Sequence, residues 1–241
     1  MINLGLPKSQ KRYHTRKYVP TVVEIRNLEV GFHNSTLLFI ENLQVKPGEV
    51  LAITGPSGIG KTSLLKTIAG LLKPVSGTVQ VCGATIPQRP ERGSIGYIPQ
   101  KLGLVRHSSV WSNVMLGSRA GNSRATSREH AYSAIEAMGL IEKKNEPIKR
   151  LSGGQQRRVA TARTLAQRPQ LILADEFLSE LDEETSERVV NSVLNYVRSS
   201  DVAMILVEHD VSRAREISDR LLVIDDGRLN PFITDTSIME V

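Results

Sequence analysis

Gly55-Pro56-Ser57-Gly58-Ile59-Gly60-Lys61-Thr62 is the stretch that decides the fold. It follows the apolar run Val50-Leu51-Ala52-Ile53-Thr54, which reads as a short buried strand. It precedes Ser63-Leu64-Leu65-Lys66-Thr67-Ile68-Ala69, which reads as a helix. Strand, glycine-rich turn and helix, with G-x-x-x-x-G-K-[ST] across the turn, form the phosphate-binding P-loop in its expected context. The glycines let the backbone curl so that its N–H groups face phosphate oxygens. The helix adds unpaired amides and the positive end of its dipole. Lys61 is placed to reach the β- and γ-phosphates, and the Thr62 hydroxyl to meet Mg²⁺. A plain Gly/Ser turn is the bland alternative; the Lys-Thr pair directly after the last glycine argues against it.

The chain has 241 residues, enough for one large domain with its own core. No apolar run approaches the ~20 residues that span a bilayer, and no signal-peptide core opens the chain. A membrane connection is therefore expected to run through a partner. The single cysteine, Cys82, lies in a strand-like run and reads as a structural thiol. The net charge is +6, and Lys8, Lys11, Arg12, Arg16 and Lys17 precede the first acidic residue, Glu24. This tail, residues 1–21, could touch anionic lipid or nucleic acid, but it has little to bury and reads as solvated and disordered. No nucleic-acid partner is expected.

Residues 22–30 largely alternate apolar and polar, as a half-exposed strand does, and a second strand is expected from Leu37 to Val45. Short strands follow near Gly77–Val81 and Ser94–Ile98. From Gln100 to Arg150 the character changes. Helices are expected over Ser109–Leu116 and Arg128–Met138, joined by the polar loop Ser118–Thr126, so that a helical insert interrupts an α/β domain. Ser152 and Gln155 have capping-box spacing, which predicts a helix from there to about Ala166. Leu171-Ile172-Leu173-Ala174 is a buried strand ending in Asp175 and Glu176, where ligands bind in open α/β sheets. Asp182 is placed to cap a helix whose apolar face is Val189, Val190, Val193, Leu194 and Val197. A strand at Ala203–Val207 ends at Glu208-His209, and another spans Arg220–Ile224 before Asp225-Asp226-Gly227.

A nucleotide bound at the P-loop needs a metal, an oriented water and charge compensation to be hydrolysed. Asp175 suits the metal shell, and Glu176 projects further, toward an attacking water. His209 could donate to the γ-phosphate, and the Gln100 amide could serve the metal or the water. Phe32 is either an ordinary core aromatic or a ring that stacks on adenine.

These motifs together resemble the ATP-binding subunit of an ABC (ATP-binding cassette) transporter, from about Val22 to Leu229. Leu151-Ser152-Gly153-Gly154-Gln155 looks like the family's signature sequence. Leu171 to Glu176 looks like its Walker B strand, with Glu176 the catalytic base. Ser179-Glu180-Leu181-Asp182 resembles the D-loop, Gln100 the Q-loop, His209 the H-loop and Phe32 the A-loop. The resemblance implies a P-loop core with a parallel sheet, an N-terminal antiparallel β region and a helical subdomain near residues 100–165, with a short tail at 230–241. It implies an Mg²⁺-dependent ATPase, with nucleotide contacts from Gly55, Pro56, Ser57, Gly58, Ile59, Gly60, Lys61, Thr62 and Ser63, and metal contacts from Thr62, Asp175 and Gln100.

The family mechanism pairs two cassettes head to tail, as a homodimer here. Each ATP then lies between one P-loop and the other chain's signature helix, where Ser152 and the amides of Gly153 and Gly154 meet the γ-phosphate. The motion passes to integral membrane subunits, with the cassette on the cytoplasmic face. Phe177-Leu178, Glu180 and Glu208 depart from the family's usual residues and leave the hydrolysis rate open. The run from Leu104 to Gly117 looks most like phosphonate-type import cassettes, with lipoprotein-release and macrolide-export cassettes still open. The alternatives from other classes are a soluble ABC-type ATPase with no transporter and a scaffold that binds nucleotide without hydrolysis; Glu176 and His209 argue against the second.

Overall fold

The computed structural model of the chain describes residues 21–32, 35–120, 123–178, 181 and 183–232. The basic tail, Asp182 and most of the D-loop lie outside them.

Five parallel strands make the centre. β3 (Val50–Thr54), β7 (Leu171–Asp175) and β8 (Ala203–Val207) are buried at every position. Unbroken apolar strands of this kind are covered on both faces. With β6 (Ile95–Ile98) and β9 (Arg220–Asp225) they run in the order β9-β3-β8-β7-β6, all pairs parallel. The expected antiparallel region is β1 (Val23–Phe32), β2 (Ser35–Val45) and β4 (Ser76–Val81), extended by the short strand β5 (Ala84–Thr85), which the sequence did not indicate, in the order β5-β4-β1-β2.

One strand joins the two regions, and the sequence reading did not include it. β10 (Arg228–Pro231) runs antiparallel to β9 and parallel to β2, so the ten described strands form one sheet. Its hairpin turn has Asp226 at φ 44° and Gly227 at φ 67°. Two successive positive φ values are what a tight two-residue hairpin requires, and Asp-Gly supplies them.

Helices cover both faces. α1 (Lys61–Ile68) follows the glycine-rich loop. α2 (Val110–Ser118), α3 (Arg124–Ala137) and α4 (Gly153–Leu165) form the helical region, followed by α5 (Glu183–Ser199) and α6 (Val211–Ile217). α3 starts four residues before the expected Arg128, because the Ser123 Oγ accepts from the Thr126 N–H. The first turn hid this start: Ser127, buried there, is held by hydrogen bonds to the Ser118 and Ser123 carbonyls rather than by apolar packing.

The central strands send alternate side chains to two cores. Leu51, Ile53, Leu173 and Ile205 join Leu64, Leu65 and Ile68 of α1. Ala52, Ile172, Ala174 and Leu206 join α4 and the Val189, Val190, Val193 and Val197 face of α5. Phe177 and Leu178 belong to this second core, 1% and 2% exposed. That burial accounts for their apolar character directly after Glu176. Cys82 is half-buried in the β4–β5 turn, and burial pushes its thiol up to about 11. A thiol so rarely ionised is a poor nucleophile, in keeping with a structural role.

Candidate nucleotide site

The loop between β3 and α1 bends at Gly55, Gly58 and Gly60, with φ of 149°, 81° and 110°. A Cβ at Gly55 would sit 2.8 Å from the Ile224 carbonyl oxygen, whereas one at Gly58 would meet nothing within 4 Å. The space over Gly58 is therefore open to a ligand. α1 begins there with no side-chain cap and no acidic residue in its first turn, so its amides face that space uncompensated.

A cleft of about 400 Å³ opens over this loop. Ser57, Gly58, Gly60, Lys61, Thr62 and Ser63 form its floor, and Phe32, Leu37, Gln100, Glu176 and His209 its walls. Phe32 is 48% exposed, so its ring is free to stack rather than buried as a core residue. Gly55, Pro56 and Ile59 do not line the cleft; the first two hold Lys61 from behind, and Ile59 packs on the core. The Lys61 ammonium donates to the Gly55 and Pro56 carbonyls at 2.7 and 2.9 Å. The lysine thus closes the loop on itself. Burial lowers its pKa, while Glu176 and Asp175 pull it back up.

At the end of β7, Asp175 is 2% exposed and accepts from the Thr62 hydroxyl at 3.2 Å. Burial raises its pKa, opposed by the Thr62 hydrogen bond and by Lys66 and Lys61. Tyr97 of β6, which the sequence reading did not single out, lies against this carboxylate: burial first, and then Asp175, push its phenol up. Its place there depends on the parallel pairing of β6 with β7, which no local sequence signal gives.

Glu176 sits beyond the strand with φ 51°, in a left-handed conformation uncommon for a residue with a Cβ. Its carboxylate is held on both sides. Gln100 Nε2 donates to Oε2 at 2.8 Å, and His209 Nε2 lies 2.6 Å from Oε1. Three residues expected to share one reaction therefore come together from the ends of three strands. Beside them Glu208 is 7% exposed, and burial pushes its carboxyl up to about 7, with Arg213 and Arg157 opposing the shift.

Leu151, Ser152, Gly153, Gly154 and Gln155 lie apart from the cleft lining. The capping box is present: the Gln155 N–H donates to Ser152 Oγ at 3.2 Å, and the Ser152 N–H to Gln155 Oε1 at 3.1 Å. A larger cavity, about 630 Å³, lies between α5 and α6. Its walls carry Glu183, Glu187, Asp210 and Glu216 against one cation, Arg213, a net acidic lining that disfavours polyphosphate. The smaller cleft is the one whose chemistry fits a nucleotide.

The family model for ABC transporters matches residues 40–179. The chain belongs to the ABC transporter family. Among curated relatives, the L-cystine transport system ATP-binding protein TcyN of Escherichia coli K12 is 38% identical over 222 residues, covering 87% of this chain and 88% of TcyN. The hypophosphite import ATP-binding protein HtxD of Stutzerimonas stutzeri is 33% identical, covering 86% of this chain and 65% of HtxD. The spermidine/putrescine import protein PotA of Legionella pneumophila (strain Paris) is 33% identical and is spanned over 61% of its length. Among solved structures, the post-hydrolysis dimer of the ATP-binding cassette MJ0796, bound to ADP and Pi, matches with TM-score 0.76 at 30% identity, covering 86% of this chain and 96% of that one. The ABC cassette is thus an ATP-binding, ATP-hydrolysing subunit that energises transport. Among its described residues no helix is long and apolar enough to cross a membrane.

Proposed function

We propose that this cassette hydrolyses ATP at composite sites in a homodimer and drives import through separate membrane subunits at the cytoplasmic face. The observation that carries the reading is the Glu176 carboxylate, held between Gln100 and His209 over the glycine-rich loop, while the signature helix stays out of the same cleft. A site with a base and a phosphate cradle, but with its second anion-binding helix start elsewhere, is completed by another copy. In this reading residues 22–229 form the cassette, with 100–165 its helical subdomain.

Lys61, the amides of residues 58–63 and the α1 dipole bind the β- and γ-phosphates, and Phe32 supports the adenine. Thr62 and Asp175, with the Gln100 amide, would hold a magnesium ion, whose charge offsets that developing on the transferred phosphoryl group. The 3.2 Å Thr62–Asp175 contact and the buried Asp175 carboxylate fit that role. Glu176 orients the attacking water and takes its proton, and His209 and Gln100 hold the Glu176 carboxylate toward it. Ser152, Gly153 and Gly154 contact the γ-phosphate of the partner copy's ATP; Asp182, read from the sequence as part of the D-loop, lies outside the described residues. Import is supported by the relatives named as import proteins for hypophosphite and spermidine/putrescine; with the L-cystine transport protein beside them, their range leaves no single substrate favoured.

The test is ATP-driven dimerisation. Glu176→Gln should bind ATP and elute as a dimer from a sizing column. Adding Ser152→Ala and Gly154→Asp puts a carboxylate where a phosphate must sit, so that chain should still bind labelled ATP yet elute as a monomer. Unchanged dimerisation would overturn the composite site.

A further inference from the structure

Arg157 is 2% exposed, among the largest fully buried side chains of the described residues. It projects from α4, five residues after the Ser152 cap. Its Nη1 donates to the Glu176 carbonyl oxygen at 3.2 Å. The Glu176 N–H donates to the Val207 carbonyl at 3.0 Å. The peptide groups on both sides of the Glu176 Cα are therefore tied, one to β8 and one to the signature helix. Glu176 needs such ties: a non-glycine residue at φ 51° persists only where its surroundings over-determine it. The residues after it, Phe177 and Leu178, are anchored in the core, so the carbonyl is the point at which α4 sets the direction of the Glu176 side chain.

A buried guanidinium is costly unless its charge is met. The buried Glu208 carboxyl is close enough that Arg213 and Arg157 both favour its charged form, against the burial that opposes it. A charge retained deep in the junction between α4 and the base loop costs stability that an apolar residue would not.

We propose that Arg157 is a positioning residue for hydrolysis, which fixes Glu176 through its carbonyl and ties the orientation of the base to the signature helix. α4 begins at the residues read as meeting the partner copy's nucleotide, so a shift of that helix on nucleotide contact moves the Arg157 anchor. The base of one site is then aligned by occupancy of the other. The inference rests on the reading of Glu176 as the base.

The experiment compares Arg157→Met and Arg157→Lys in the full chain, by steady-state MgATP turnover, equilibrium binding of labelled ATP and thermal midpoint. A hydrogen bond from a charged donor is strong enough that its loss should lower kcat about tenfold or more, while KM and ATP affinity stay within about twofold. Arg157→Lys keeps a charged donor and should recover most of the loss. Should Arg157→Met not fold, Arg157→Met with Glu208→Gln removes both buried charges and should show the same fall in kcat, with Glu208→Gln alone near normal. Unchanged turnover in the methionine variants overturns the proposal, as does a parallel loss of ATP affinity or a folded lysine variant no better than methionine. In a Glu176→Gln background, Arg157→Met should lower the residual turnover no further; a further tenfold fall shows that Arg157 acts elsewhere. Normal turnover in Glu176→Gln alone removes the base assignment itself, a result distinct from a normal Arg157→Met.

Discussion

Glu208→Gln should gain stability over the native chain as pH rises. Glu208 is buried beside β8, and its carboxyl is pushed from an ordinary 4.5 to about 7, chiefly by burial. The folded protein therefore binds this proton more tightly than the unfolded chain does. The resulting stability is fully present below about pH 4.5 and is lost as pH rises through about 7. Each tenfold difference in proton affinity is about 1.4 kcal/mol, so the ionised carboxylate costs about 3 kcal/mol at pH 8. Glutamine has a similar shape and does not titrate. Other groups titrate alike in both chains and cancel from the difference. The attraction of Arg213 and Arg157 is already contained in that value, and the remaining difference between glutamine and the protonated carboxyl does not depend on pH. The stability gap should thus widen by about 2–3 kcal/mol between pH 5 and pH 8, which for a chain of this size is roughly 5–10 °C in the midpoint difference. Thermal melts of both chains without nucleotide, at the two pH values, measure it. A gap that stays constant with pH would show that Glu208 is ionised normally in the fold, and a gap that narrows would reverse the argument.

Other outcomes follow from single contacts. Lys61→Ala removes the cation that closes the glycine-rich loop, and should weaken labelled-ATP binding by about tenfold or more; unaltered affinity would remove Lys61 from the phosphate site. His209→Ala frees one Glu176 oxygen, so kcat should drop by about tenfold or more with ATP binding retained, a split that steady-state and binding measurements resolve. Gly117→Ala should destabilise the helical region by about 1–3 kcal/mol or more, because the new Cβ would lie 2.1 Å from the Arg163 carbonyl oxygen of α4; urea unfolding that matched the native chain would show that α2 and α4 part without cost.

Much of the fold was legible because it rests on local rules. The unbroken apolar runs of β3, β7 and β8 mark buried parallel strands, whatever they pair with. The glycine positions, the capping box and the apolar face of α5 depend on spacing alone, and the structure holds each of them. The parts that escaped depend on distant partners. β10 has no alternation of its own and is a strand because β9 and β2 offer it edges on both sides. The start of α3 rests on a serine cap and a polar turn bonded to the end of α2, neither of which leaves apolar periodicity.

The site divides in the same way. Sequence by itself determined its chemistry: a glycine-rich loop with Lys61 and Thr62, carboxylates at the end of a buried strand, and Gln100 and His209 at the ends of two more. Their meeting was decided by tertiary structure, because the order β8-β7-β6 aligns three strand ends and brings Gln100 and His209 onto the two oxygens of Glu176. Tyr97 and Arg157 were silent in the sequence for the same reason. A tyrosine in a short strand and an arginine within a helix have no local signature. Their significance comes from the 3.2 Å bond to the Glu176 carbonyl and the position against Asp175, contacts that only the packing of α4 and β6 onto the end of β7 creates.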